Sequence, residues 1–219
     1  ALILASVVSI AALILMKATG GWYALVAGAL FAAEMYIRKD GRFELGAPAL
    51  FTLGAHLILR DFNNFTTIYH LLTFSLVWIF SDLLIHLTFR HTRPLNFIVR
   101  GIAALLAGIN IIFILTEAAV FDAAICFGIY TLAFTIYALA YRTPWLGYIP
   151  AASLPLTIIY TFSHLNVDAW LPALTILAIL YFIFGMAIRV REGWSYMLRN
   201  SALILGSLLL MPLLTGAWV

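Results

Sequence analysis

Between Trp170 and Ile188 the chain runs without a charged side chain, and between Thr66 and Phe89 with only one, Asp82. A helix that crosses a bilayer needs roughly 20 predominantly apolar residues. Nine stretches reach or approach that length, at about 1–16, 21–37, 44–59, 66–89, 94–115, 122–141, 144–162, 168–188 and 195–216. None alternates with period two, as the strands of a membrane barrel must. The loops are short, so successive helices are expected to lie antiparallel. The predicted fold is all-α: a polytopic transmembrane helix bundle of about nine helices, forming a single transmembrane domain over 1–219.

Composition points the same way. Hydrophobic residues make up 65% of the chain and charged residues 10%, against about 45–50% and 25% in soluble domains. Charge this sparse cannot cover a water-soluble surface, so lipid is the expected solvent for most of the exterior. The net charge of +3 does not form a basic cluster interleaved with aromatics, so no nucleic-acid partner is expected. The single cysteine, Cys126, rules out an intrachain disulfide. Both ends of the chain fall within apolar stretches. No positively charged leader precedes the first, as a signal peptide would require, and the sequence is expected to be a segment of a longer polypeptide.

A repeat of about 50 residues, within the range of stacked structural units, marks alternate helix ends. Ile37-Arg38, Phe89-Arg90, Tyr141-Arg142 and Ile188-Arg189 each close an apolar run and open a polar loop. The units read as helical hairpins with approximate boundaries 1–38, 39–90, 91–142, 143–189 and a partial 190–219. Ten of the twelve basic residues (Arg38, Lys39, Arg42, Arg90, Arg93, Arg100, Arg142, Arg189, Arg191 and Arg199) fall on one side of this topology, with Lys17 and Arg60 on the other. The positive-inside rule makes the arginine-rich side cytoplasmic, and the expected location is the bacterial cytoplasmic membrane. Trp22, Trp145, Trp170, Trp194 and Trp218 lie near predicted helix ends, where amphipathic rings favour the headgroup region; Trp78 sits in mid-helix. Thr66 or Thr67, Asp122 and Asp168 are suitable N-caps. Pro155 and Pro212 fall inside helices and are expected to kink them.

Few residues could carry chemistry. Asp82 lies about eight residues inside one end of its helix, and an ionisable group at that depth is a candidate site by default. His86 follows four residues later on the same face. Folding the hairpin about Thr92 brings Arg100 to a similar depth. The three form either a structural ion pair or a proton or cation site with Asp82 as carrier. His56 and His70 stand at equal distances from one turn and could meet, which would allow ligation of haem iron or a pigment metal; otherwise they are hydrogen-bonded structural histidines, and no cofactor is expected. No further ligands occur at metal-site spacing. Asn110 and the small residues Ala103, Ala104, Ala107, Gly108, Gly46 and Gly54 read as helix-packing features. Hydrolase, metalloprotease, phosphate-loop and dinucleotide signatures are absent, and no catalytic residue is assigned. The expected function is a non-catalytic membrane scaffold or a subunit of a larger membrane assembly, with lipids and other membrane subunits as partners. The alternative is a secondary transporter or channel that uses Asp82.

Overall fold

The computed structural model describes residues 17–38, 45–60, 66–88, 94–188 and 192–214. The predicted first stretch, 1–16, lies outside them. So do Lys39, Arg42, Arg90, Arg93, Arg189, Arg191 and the turn 61–64. Eight α-helices, one short 3-10 turn and no strand occur among the described residues: α1 (Lys17–Arg38), α2 (Gly46–Arg60), α3 (Thr67–Thr88), α4 (Pro94–Glu117), α5 (Val120–Tyr141), α6 (Tyr148–His164), α7 (Trp170–Ala187) and α8 (Glu192–Leu214). Among the described residues, six segments are long and apolar enough to cross a membrane: Thr19–Ile37, Thr67–Thr88, Phe97–Glu117, Val120–Tyr141, Pro144–His164 and Trp170–Ala187.

The chain divides into two compact units, Ala1–Thr116 and Glu117–Val219. In the first, α1 and α2 pack most closely, and glycine is the reason. A Cβ on Gly54 would stand 2.8 Å from the Gly21 carbonyl oxygen, and one on Gly21 would stand 2.9 Å from the Gly54 carbonyl. The two backbones touch where neither residue carries a side chain, the mode by which membrane helices gain dispersion energy without a hydrophobic drive. The inward face of α3 repeats at helical spacing through Ile68, Leu72, Ser75, Trp78, Ile79, Asp82 and Ile85. Its Trp78 indole donates to Thr52 Oγ1 at 3.0 Å, and the Thr52 hydroxyl donates in turn to the Pro48 carbonyl at 2.8 Å. The tryptophan out of place at an interface is therefore a clasp between α2 and α3. The buried stripe of α4 comprises Val99, Ala103, Ala107, Asn110 and Ile114, whereas Gly101 and Gly108 face open space.

In the second unit the closest pairs are α5 with α6 and α7 with α8, and α6 meets α7 more lightly. Phe127 stacks on Tyr160 with centroids 5.7 Å apart, and Thr131 Oγ1 lies 2.8 Å from Ser153 Oγ. Leu171, Leu174, Leu177, Leu205 and Leu209 form the core between α7 and α8. The run predicted at 144–162 is broken at its start. Pro144 has no N–H and restricts Thr143 to an extended conformation, so Pro144–Gly147 forms a 3-10 turn before α6 begins.

Two helix ends share one solution. Arg142, at φ 51°, donates to the Leu139 carbonyl while Thr143 donates to Ala138. Asn166, at φ 53°, donates to Ser163 while Val167 donates to Phe162. Both are left-handed closures of the Schellman type, in which glycine or asparagine is usual. The expected aspartate caps shift. Ala119 and Ala169 occupy the capping positions without a side-chain bond, and Asp122 falls in the first turn of α5, where its charge still complements the helix dipole.

Candidate functional site

Asp82 is fully buried on α3. Arg100, on α4, brings Nε to 3.4 Å from Asp82 Oδ2, and its side chain keeps 42% of its surface accessible. Arg100 Nε and Asp82 Oδ2 thus make a long charge-assisted contact. Burial is asymmetric: the carboxylate has left water and the guanidinium has not. His86 follows one turn after Asp82 and is half-buried. Asp82 and Arg100 thus meet between α3 and α4, and His86 stands one turn further along α3.

His56 is exposed on α2 and His70 half-buried on α3. Their ring centroids stand 6.2 Å apart, edge to face. Phe74 completes a three-ring cluster, 6.1 Å from His56 and 6.2 Å from His70. His70 Nδ1 is 3.1 Å from the Thr66 carbonyl; when Nδ1 carries the proton, that bond fixes the tautomer and leaves the lone pair on Nε2. Among the described residues, no group of three or more His, Cys, Asp or Glu side chains could hold a metal ion.

Cavities occur in the second unit. A cleft of about 480 Å³ lies among α6, α7 and α8, lined by Pro155, Ile159, Trp170, Leu205 and neighbours, with Tyr148 and Ser201 as its polar edge. Asn200 Nδ2 donates to the Tyr148 hydroxyl at 3.2 Å. A groove of about 400 Å³ follows the α7–α8 seam. Both are almost wholly apolar in lining.

One polar contact lay beyond sequence reasoning. Pro155 cannot supply the N–H that would pair with the Ala151 carbonyl four residues earlier. Tyr181, on α7, donates its hydroxyl to that carbonyl at 3.3 Å. Pro155 is the visible sign of an orphaned acceptor; the donor, on the following helix, becomes apparent only in the fold. Compared with known proteins, the chain matches no family profile, no curated sequence and no solved structure, so the chemistry of the site rests on its own geometry.

Proposed function

We propose that the protein is a non-catalytic, multi-pass membrane scaffold or subunit whose apolar helix faces hold lipids and neighbouring membrane helices in a larger assembly. One observation carries this reading: at four points a polar group at depth takes its partner from a neighbouring helix. Asp82 meets Arg100, Trp78 meets Thr52, Thr131 meets Ser153 and Tyr181 meets Ala151. Thr131, Thr135 and Tyr181 do border a cavity of about 220 Å³, but its lining, like that of the two clefts above, is almost wholly apolar. A carrier site needs polar ligands around a space that opens by turns to either side. The reading includes nine helices arranged as tandem hairpins of repeating length, in a bacterial cytoplasmic membrane with the arginine-bearing turns facing the cytoplasm.

The full burial of Asp82 favours one alternative, a secondary transporter or channel with Asp82 as proton or cation site and His86 tuning it. Asp82→Asn separates the two. The scaffold reading expects unchanged proton-coupled flux in reconstituted vesicles and weaker recovery of co-purifying subunits in mild detergent. Flux that is pH-dependent and abolished by Asp82→Asn would overturn the scaffold. Ligation of haem or pigment by His56 and His70 is tested by the visible absorption spectrum of the purified protein, and a featureless spectrum removes it.

A further inference from the structure

One pair of helix positions recurs in the two units with a different residue at one of them. Asp82 is the sixteenth residue of α3 and Gly185 the sixteenth of α7; Arg100 is the seventh of α4 and Arg199 the eighth of α8. The first unit therefore sets an arginine against a carboxylate, and the second sets an arginine against a glycine. No side chain fits at Gly185. A Cβ there would lie 2.8 Å from Arg199 Cγ and 3.1 Å from the Ser195 carbonyl oxygen. The stem of Arg199 fills the place where a carboxylate would stand. Its Nε is buried and has no hydrogen-bond partner among the described residues. Arginine stays charged in any protein environment, and a buried guanidinium N–H without an acceptor is a standing cost that an oxyanion would remove.

The seam above Arg199 is open. Ala202, Leu203, Gly206 and Leu210 on α8 face Phe182, Ile179 and Thr175 on α7 across the groove, and nothing lies within 4 Å of a Cβ added to Gly206. The groove begins at Ala202, about one turn beyond Arg199, and runs to Leu210, about 12 Å at 1.5 Å per residue. Arg199 and the groove together span about 16 Å, close to one leaflet, half of a hydrocarbon core about 30 Å thick. An apolar groove that ends one turn from a guanidinium matches an acyl chain joined to an anionic headgroup. Tyr196, three residues before Arg199, is 61% exposed at the charged end, where aromatic rings meet headgroups.

We propose that the α7–α8 seam binds one anionic phospholipid, with its phosphate on the Arg199 guanidinium and an acyl chain along the groove past Gly206. The proposal rests on the membrane placement above and names the lipid partner of that reading. Guanidinium and phosphate match in charge and in donor geometry.

Native mass spectrometry of the purified protein, titrated with dioleoylphosphatidylglycerol or dioleoylphosphatidylcholine in one detergent, tests it. The wild type is expected to retain the anionic lipid about tenfold better, the scale of one charge-assisted contact. Arg199→Gln should lose that preference and Arg199→Lys should keep part of it. Gly206→Leu should lower retention of the anionic lipid with Arg199 intact; because its side chain enters open space, this variant decides the matter if Arg199→Gln does not fold. Equal retention of the two lipids by the wild type, a preference that survives Arg199→Gln, or full retention in Gly206→Leu would overturn the site. Displacement of the lipid by inorganic phosphate would assign Arg199 to a soluble anion, and loss of a dimer or bound subunit in Arg199→Gln with lipid preference unchanged would assign it to a protein contact; either overturns the proposal. Release of the protein from native membranes by alkaline carbonate alone would overturn the membrane placement itself, a result distinct from lost lipid preference in protein that stays embedded.

Discussion

Asp82 and Arg100 share a contact but not an environment. The carboxylate is sealed inside the first unit, while the guanidinium keeps 42% of its side-chain surface accessible. Losing the arginine therefore takes a cation from a carboxylate that is out of reach of water, whereas losing the aspartate leaves a long side chain that can turn its head toward the interface. Arg100→Gln is expected to cost about 3–5 kcal/mol, the scale for breaking a buried pair from one side, and Asp82→Asn clearly less. Reversible unfolding in mixed micelles reads both, and equal losses would show that the arginine is as tightly confined as its partner. The pairing could be anticipated by folding the sequence about Thr92. The inequality could not, because nothing in the residue order says which of two paired charges faces outward.

At the scale of elements, proline and glycine set the terms. Pro155 releases the Ala151 carbonyl and Tyr181 takes it up, so the two residues are one device linking α6 to α7. Tyr181→Phe should cost about 1 kcal/mol. In a Pro155→Ala background, where residue 155 regains its N–H, the same change should cost distinctly less; additive effects in the double-mutant cycle would show that the contact carries no weight. Where backbones touch at Gly21 and Gly54, Gly54→Leu is expected to force α1 from α2 and lose at least about 1–3 kcal/mol as overpacking does, read as a lowered melting temperature in detergent. Gly206→Leu, with open space before it, should melt within about 0.5 kcal/mol of wild type. The sequence makes both glycines look alike. Only the neighbouring helix separates a contact from a gap. The helices themselves were legible because uninterrupted apolar runs leave little choice of structure, and the start of α6 was misplaced because Pro144 opens a tighter turn that runs to Gly147.

For the molecule as a whole, the testable quantity is sidedness. Thr143 and Val167 bracket α6, at the left-handed closures made by Arg142 and Asn166. Cys126 is buried on α5 and should react with a membrane-impermeant maleimide only after denaturation. With the orientation proposed above, and in a Cys126→Ala background, Thr143→Cys should be labelled only after the inner face of spheroplasts is opened, and Val167→Cys in intact ones. Labelling of both from one side would mean that α6 does not cross. The division of the chain after Thr116 was not apparent from the spacing of the arginines, because that spacing marks charged turns and says nothing about which helices pack together.

The close pairing of α5 with α6 and of α7 with α8, set against the lighter meeting of α6 and α7, has a consequence for biogenesis. Only a few residues separate the two helices of each pair, so the second helix can find the first almost as soon as it leaves the ribosome. The nascent chain can then pair its helices two at a time, with Thr131 already facing Ser153 and Ser195 already facing the carbonyl of Gly185.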